Sequence, residues 1–176
     1  METGHEMFLH ELQDMMDAEH QLVEALGELS EDSSRSDLKK AFEKHRSETE
    51  GQVNRLEKCF ELLGEEPDGA TCHGIRGLIA EKKAFAEENP SEDLVDVFNV
   101  GAGIKAETYE ICAYESLIEM AREMRHSKVA QLLNQNLRQE AATLKKMKSF
   151  SKKVKPAQMM SEEEQDQSER SGRRAK

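Results

Sequence analysis

The sequence predicts an all-α protein, and two observations support this fold class. Apolar residues recur at helical spacing through four long segments of the chain. The composition is also typical of helical bundles, because Leu, Ala, Glu, Lys and Met dominate while aromatic residues make up only 5%. A length of 176 residues indicates one domain that can bury a hydrophobic core.

Each predicted helix lies between recognisable stop and start signals. Ser-rich, Gly-containing and Asn-Pro stretches separate the first three long helices, and a tight Arg-His-Ser turn precedes the fourth. The predicted long helices are 6–29, 37–63, 91–124 and 127–150, with a shorter helix at 75–88.

The connections between these helices predict their topology. Short turns join the first helix to the second and the third to the fourth, so each pair should be antiparallel. About 27 residues, including the shorter helix, separate the second long helix from the third, which is enough to traverse a bundle. Residues 1–150 are therefore expected to form a ferritin-like four-helix bundle with a long helical crossover between helices two and three. Residues 151–176 contain an acidic block followed by a basic one, which predicts a disordered charged tail.

Every long helix carries an ionisable residue near the middle of its apolar seam. In the third long helix, Ile104 and Ile111 belong to a seven-residue apolar repeat, and Glu107 occupies the companion seam position. A carboxylate facing the core is costly unless a positive charge meets it. At about 1.5 Å per residue, the ionisable positions of all four helices lie within one turn of the same depth. The predicted metal ligands are Glu19, His45, Glu48, Glu107, Glu110 and Glu140.

Six such ligands suit two metal ions with open coordination positions. Five carboxylates and one imidazole favour iron or manganese over zinc or copper, because hard oxygen ligands stabilise the higher charge. Two other interpretations stay open: a buried network of Glu, His and Lys or Arg, or an incorrect register of the seams. A single seam Glu could also reach solvent through its flexible stem.

Several segments together resemble the YciF-type family of ferritin-like bacterial stress proteins. The resemblance covers about residues 6–150 and rests on four segments: DAEHQLVEAL, AFEKHRSETEGQVNRLEKCFELLG, CHGIRGLIAEKK and AETYEICAYESLIEMAREM. It implies a ferritin-like bundle, often dimeric, with a dinuclear metal site and no established reaction. Glu19, His45, Glu48, Glu107 and Glu110 fall within the matching motifs, whereas Thr108 stands where the family has His, and Arg138-Gln139 replaces part of an acidic run.

The charge and cysteine content narrow the classes of function. A formal net charge of -11 argues against nucleic acid or an anionic membrane as the main partner. Three cysteines, the lack of a recognisable signal peptide and the lack of a long apolar run predict a reduced, cytoplasmic setting. A homodimer is expected, and the outer faces of the first two helices around Phe8 and Phe60 are candidates for its interface.

Two hypotheses of function follow from these observations. In the first, a dinuclear iron or manganese site reacts with dioxygen or peroxide: Glu19 and Glu140 are terminal ligands, Glu48 and either Glu107 or Glu110 bridge, and His45 caps one ion. In the second, the protein is a non-enzymatic dimeric structural or interaction protein whose site is vestigial or mononuclear. The sequence does not decide whether a reaction is catalysed.

Overall fold

The computed structural model describes residues 1–153, 160–162 and 164, and it is built from helices. The helices are α1 (Gly4–Asp32), α2 (Ser36–Leu63), α3 (His73–Glu87), α4 (Glu92–Glu123) and α5 (Ser127–Ser151). The predicted all-α fold class is confirmed. Most of the predicted tail, 151–176, lies outside the described residues.

The four long helices form a bundle with the predicted connectivity. α1 packs along α2 and α4 packs along α5, while α2 also contacts α5 and α1 also contacts α4. α3 is the crossover helix, and it packs on α1 and α4. Among the described helices, none combines the length and apolarity that a membrane span requires.

Local signals explain where the helices begin and end. α1 starts two residues earlier than predicted because Thr3 and Glu6 form a capping box, in which each side chain accepts a hydrogen bond from the other's backbone. α2 ends at Gly64, whose φ of 72° is the left-handed conformation that glycine adopts readily.

A layer of buried polar residues divides the hydrophobic core into two clusters. On α2, Phe42 belongs to one cluster and Leu56 to the other. Between these two lie the buried side chains of His45, Thr49 and Gln52. The same change of cluster occurs on α4 and α5, on either side of their buried glutamates. The bundle therefore has two apolar ends and a polar middle.

The predicted dimer surface around Phe8 and Phe60 is wrong. The two side chains are 0% and 2% exposed and belong to one core cluster. The ring of His126, which immediately precedes α5, stacks on Phe8 with the ring centroids 6.2 Å apart. The turn between α4 and α5 thus covers this part of α1, and the expected homodimer remains a prediction without an assigned face.

Asp96 connects α4 to the turn between α1 and α2. Its buried carboxylate accepts hydrogen bonds from the Ser34 backbone N–H (2.8 Å), the Ser34 hydroxyl (2.6 Å) and the Arg35 backbone N–H (3.1 Å). The side chain of Arg35, the residue before α2, makes no capping hydrogen bond to this helix and instead pairs with Asp37. Asp96 therefore fixes, from α4, the two residues that lead into α2.

We expect Asp96→Ala to lower the free energy of unfolding by about 1–3 kcal/mol, because it removes three hydrogen bonds to a buried carboxylate. Urea denaturation followed by circular dichroism measures this change. Glu119→Ala, an exposed substitution on the same helix, is the control. Equal stability of the two variants would contradict the assigned role of Asp96.

Candidate metal centre

Four ionisable side chains from three helices meet in the polar layer. They are His45 of α2, Glu107 and Glu110 of α4, and Glu140 of α5, and one ligand atom from each lies within 4.8 Å of the others. His45 Nε2 is 2.7 Å from Glu107 Oε1 and 3.8 Å from Glu140 Oε2. None of the four side chains is more than 4% exposed.

Helix geometry explains why these four residues meet. Glu107 and Glu110 are three residues apart, so they share one face of α4. His45 lies nine residues from the start of α2, and Glu140 lies thirteen residues from the start of α5. Because α5 packs against both α4 and α2, the glutamates of α4, His45 and Glu140 come to the same depth in the bundle.

Glu19 is buried in the same layer but has a different partner. The hydroxyl of Tyr114 donates a hydrogen bond to Glu19 Oε1, and Asn136 Nδ2 donates to that hydroxyl oxygen at 2.8 Å. Glu19 is 0% exposed and is not one of the four converging residues. Its charge nevertheless contributes to raising the pKa of Glu110, so the two carboxyl groups interact.

Glu48 lies at the edge of the bundle. It is half-buried and forms an ion pair with Lys44, one turn earlier on α2. Thr49 occupies the buried position beside it. The structure thus brings together four of the six predicted ligands and places Glu19 and Glu48 apart from them, each with a partner of its own.

Burial raises the pKa of every carboxyl group in the centre. It raises the pKa of Glu107 from 4.5 to about 7. The pKa values of Glu110 and Glu140 lie well above 4.5, first because of burial and then because Glu140 interacts with both other carboxyl groups. Burial also lowers the pKa of His45, against the opposing effects of Glu140 and Glu48. At neutral pH the cluster therefore retains protons and a neutral imidazole.

Several buried acceptor atoms lack a hydrogen-bond partner among the described residues. They are one oxygen each of Glu19, Glu107, Glu110 and Glu140, together with Nδ1 of His45 and Oε1 of Gln52. Unsatisfied buried polar atoms are rare in native proteins, and carboxylate oxygens with an imidazole nitrogen are the donor set of iron and manganese. The residues present could therefore hold a metal ion.

Side-chain hydrogen bonds of Gln52, Arg55 and Asn136 surround the four residues. Gln52 donates to Glu140, and Arg55 donates to the side chains of Asn136 and Gln139. Asn136 lies four residues before Glu140, so the two side chains share one face of α5. This spacing is the sequence feature that could have predicted the burial of Asn136. These polar contacts lie beside the cluster, and the metal site and the buried network of Glu, His and Lys or Arg both remain predictions.

The fold and the site together define a class: a ferritin-like helical bundle with a buried cluster of carboxylates and histidine. The family model of a domain of unknown function, DUF892, matches residues 3–160. Protein YciF of Escherichia coli K12 is 33% identical over 144 residues, which cover 81% of this chain and 87% of YciF. The chain belongs to this YciF-type family, and the resemblance predicted from its motifs is confirmed.

Solved structures agree with this assignment. The crystal structure of the E. coli stress protein YciF matches with a TM-score of 0.82 and 32% identity, covering 86% of this chain and 96% of YciF. YcfI from Rhodopseudomonas palustris matches with a TM-score of 0.81 and 34% identity, covering 84% and 94% of the two chains. A protein from Xanthomonas campestris pv. campestris is 23% identical with a TM-score of 0.72, over 93% and 99% of the two chains, and shares the fold.

We expect the metal-free protein to lose stability as the pH rises from about 4.5 to about 7. A folded-state pKa above the ordinary value gives stability that is complete below the ordinary pKa and is lost as pH rises through the folded one, here about 7 for Glu107. The lowered pKa of His45 acts in the opposite direction, but three carboxyl groups outweigh one imidazole. Melting temperatures across this pH range, measured with a chelator present, give the slope.

Glu107→Gln should flatten this slope and raise the melting temperature of the metal-free protein above pH 7, because an amide does not ionise. Glu115→Gln on the exposed face of α4 is the matched control and should leave the slope unchanged. A Glu107→Gln profile that overlays the wild-type profile would show that Glu107 does not titrate as described.

Proposed function

We propose that this protein is a ferritin-like stress protein with a carboxylate-rich iron or manganese centre that reacts with dioxygen or peroxide. One observation carries the proposal: His45, Glu107, Glu110 and Glu140 converge in the buried middle of the bundle, and each has an atom without a hydrogen-bond partner among the described residues. The description of E. coli YciF as a stress protein supports the physiological setting.

The four converging residues would hold the metal, and their surroundings fix their orientation. Gln52 donates to Glu140, while Glu107 and His45 lie within hydrogen-bonding distance of each other. When bound, an iron or manganese ion would supply reversible one-electron chemistry and neutralise the carboxylates. The apolar clusters on both sides of the layer lower the local dielectric constant, which strengthens electrostatic interactions inside it.

We propose two metal ions per chain, with Glu19 completing the site of the second ion. Glu19 is completely buried, has one oxygen without a partner, and influences the pKa of Glu110. Glu48 is less suited, since it is half-buried and paired with Lys44. Tyr114 would hold Glu19 in place through its hydroxyl group.

A non-enzymatic structural role is the second candidate. The observation that favours it is that Glu19 and Glu48 already have partners in the protein, which leaves four residues for one ion. A structural role has been suggested for the relative YcfI. In this case the polar layer would specify how the helices pack in a dimeric protein, with a single metal ion or none.

Metal loading separates the two candidates. Purified protein is incubated anaerobically with iron(II) or manganese(II), desalted and subjected to elemental analysis, and its melting temperature is recorded. We expect about two ions per chain and a higher melting temperature, since a ligand that binds only the folded state stabilises it. Glu107→Gln and Glu140→Gln should lose the metal, and the exposed control Glu115→Gln should retain it.

Glu19→Gln tests the number of ions. We expect this variant to bind about half as much metal as the wild type, while Glu48→Gln should bind the full amount. If Glu48→Gln and not Glu19→Gln loses an ion, the assignment of the second site is wrong. Less than one ion per wild-type chain, with no gain in melting temperature, would leave the structural role as the function.

A further inference from the structure

An apolar cavity of about 40 Å³ lies between α1, α3 and α4, beside the metal centre. α1 contributes leucine side chains, α3 contributes Ile75, Leu78 and Ile79, and α4 contributes the small residues Ala102, Gly103 and Ala106. His45 and Glu107 of the centre also line it. The cavity and the proposed metal ligands therefore share two side chains.

The polar groups of this cavity are unevenly distributed. Among its described lining residues, the polar ones are His45, Glu107 and Lys82. The Lys82 ammonium group is occupied at the surface, where it pairs with Asp32 at 2.5 Å and Glu28 at 3.9 Å. His45 and Glu107 are buried, and each has an atom without a hydrogen-bond partner among the described residues. The walls of the cavity are thus apolar except where they meet Lys82 and the candidate metal centre.

Its size and polarity limit the molecules that it can hold. At roughly 10–15 Å³ for each water-sized molecule, it has room for about three such molecules. Away from His45 and Glu107, a water molecule against its Leu, Ile and Ala walls would find too few hydrogen-bond partners. A small apolar molecule has no such requirement.

We propose that this cavity binds dioxygen and delivers it to the centre at His45 and Glu107. This inference rests on the proposed function and deepens it, because it selects dioxygen over peroxide as the oxidant admitted through this face. Peroxide, a hydrogen-bond donor and acceptor, would lose its solvation among these walls without compensation.

The surroundings on the opposite side of His45 are polar. A groove of about 300 Å³ between α2 and α5 is lined by Lys44, Glu48, Arg138 and Lys146, among other residues, and reaches the same imidazole. Charged side chains suit ions and polar molecules there. An apolar cavity and a polar groove thus reach His45 from opposite sides of the bundle. Filling the apolar cavity should therefore affect an apolar oxidant and spare a polar one.

The volume of the cavity depends on small side chains in its walls, so larger side chains at these positions should fill it. Ala102→Leu would add three carbon atoms on the α4 wall, and Ala25→Leu would do the same on the α1 wall. Neither residue is adjacent in sequence to a proposed ligand. Ala141→Leu, at an exposed position of α5, adds the same volume outside the cavity and is the matched control.

Xenon is the probe for the cavity, because it is apolar and its binding needs neither metal nor turnover. Crystals of the metal-free protein, pressurised with xenon, should show an occupied position between Ala102 and Leu78 in the wild type and in Ala141→Leu. Ala102→Leu and Ala25→Leu should lack it, and either variant alone suffices if the other does not fold. An empty wild-type cavity, or an occupied one in both filled variants, would overturn the proposal.

The iron-loaded protein tests delivery. Ala102→Leu should bind as much metal as the wild type, oxidise iron(II) with dioxygen several-fold more slowly, and keep the wild-type rate with peroxide. Equal slowing with both oxidants, or with neither, would overturn dioxygen delivery through this cavity. If the wild type binds no metal, the proposed function fails, and the xenon experiment still decides whether the cavity takes an apolar ligand.

Discussion

The burial of three carboxyl groups around one imidazole is the constraint on which this structure depends. A buried carboxylate without a counter-charge is costly, so either protons or a cation must accompany the group. Burial raises the pKa values of Glu107, Glu110 and Glu140, so these groups hold protons more readily than exposed carboxyl groups do. Several polar atoms of the same layer have no hydrogen-bond partner among the described residues, so a cation would also find ligands there.

The rest of the bundle holds this layer in position. Two apolar clusters stabilise the bundle on either side, and the residues between them face each other because the antiparallel pairs align their levels. Asp96 ties the first helix pair to α4 at one end, while Gln52, Tyr114 and Asn136 orient the glutamates from within. The crossover helix α3 covers the side on which the apolar cavity lies, so the topology also determines access.

Much of this architecture could be predicted from the sequence, because helical periodicity and depth are regular quantities. Counting residues from the turns placed His45, Glu107, Glu110 and Glu140 at one level, and these four meet. The count could not reveal which way a side chain turns: Glu19 lies in the layer but engages Tyr114. On α2, a residue count cannot distinguish position 48 from position 49 as the buried one. In the structure Thr49 is buried and Glu48 lies at the edge of the bundle.

Other features depended on contacts that no periodic pattern records. On α5, Leu137 is only partly buried and packs against the core, while its polar neighbour Asn136 is fully buried. The burial of Phe8 under the turn between α4 and α5 is a contact across the bundle and has no local signal.

The release of protons on metal binding tests the central claim most directly. If the cluster is a cation site that holds protons in its absence, iron(II) or manganese(II) must displace them. Isothermal titration calorimetry at pH 7, repeated in buffers of different ionisation enthalpy, gives the number of protons released. We expect on the order of one proton or more for each metal ion bound, and none in Glu107→Gln combined with Glu140→Gln. Metal binding to the wild type without proton release would contradict the account, because the ion would then be bound by groups other than the buried carboxyls.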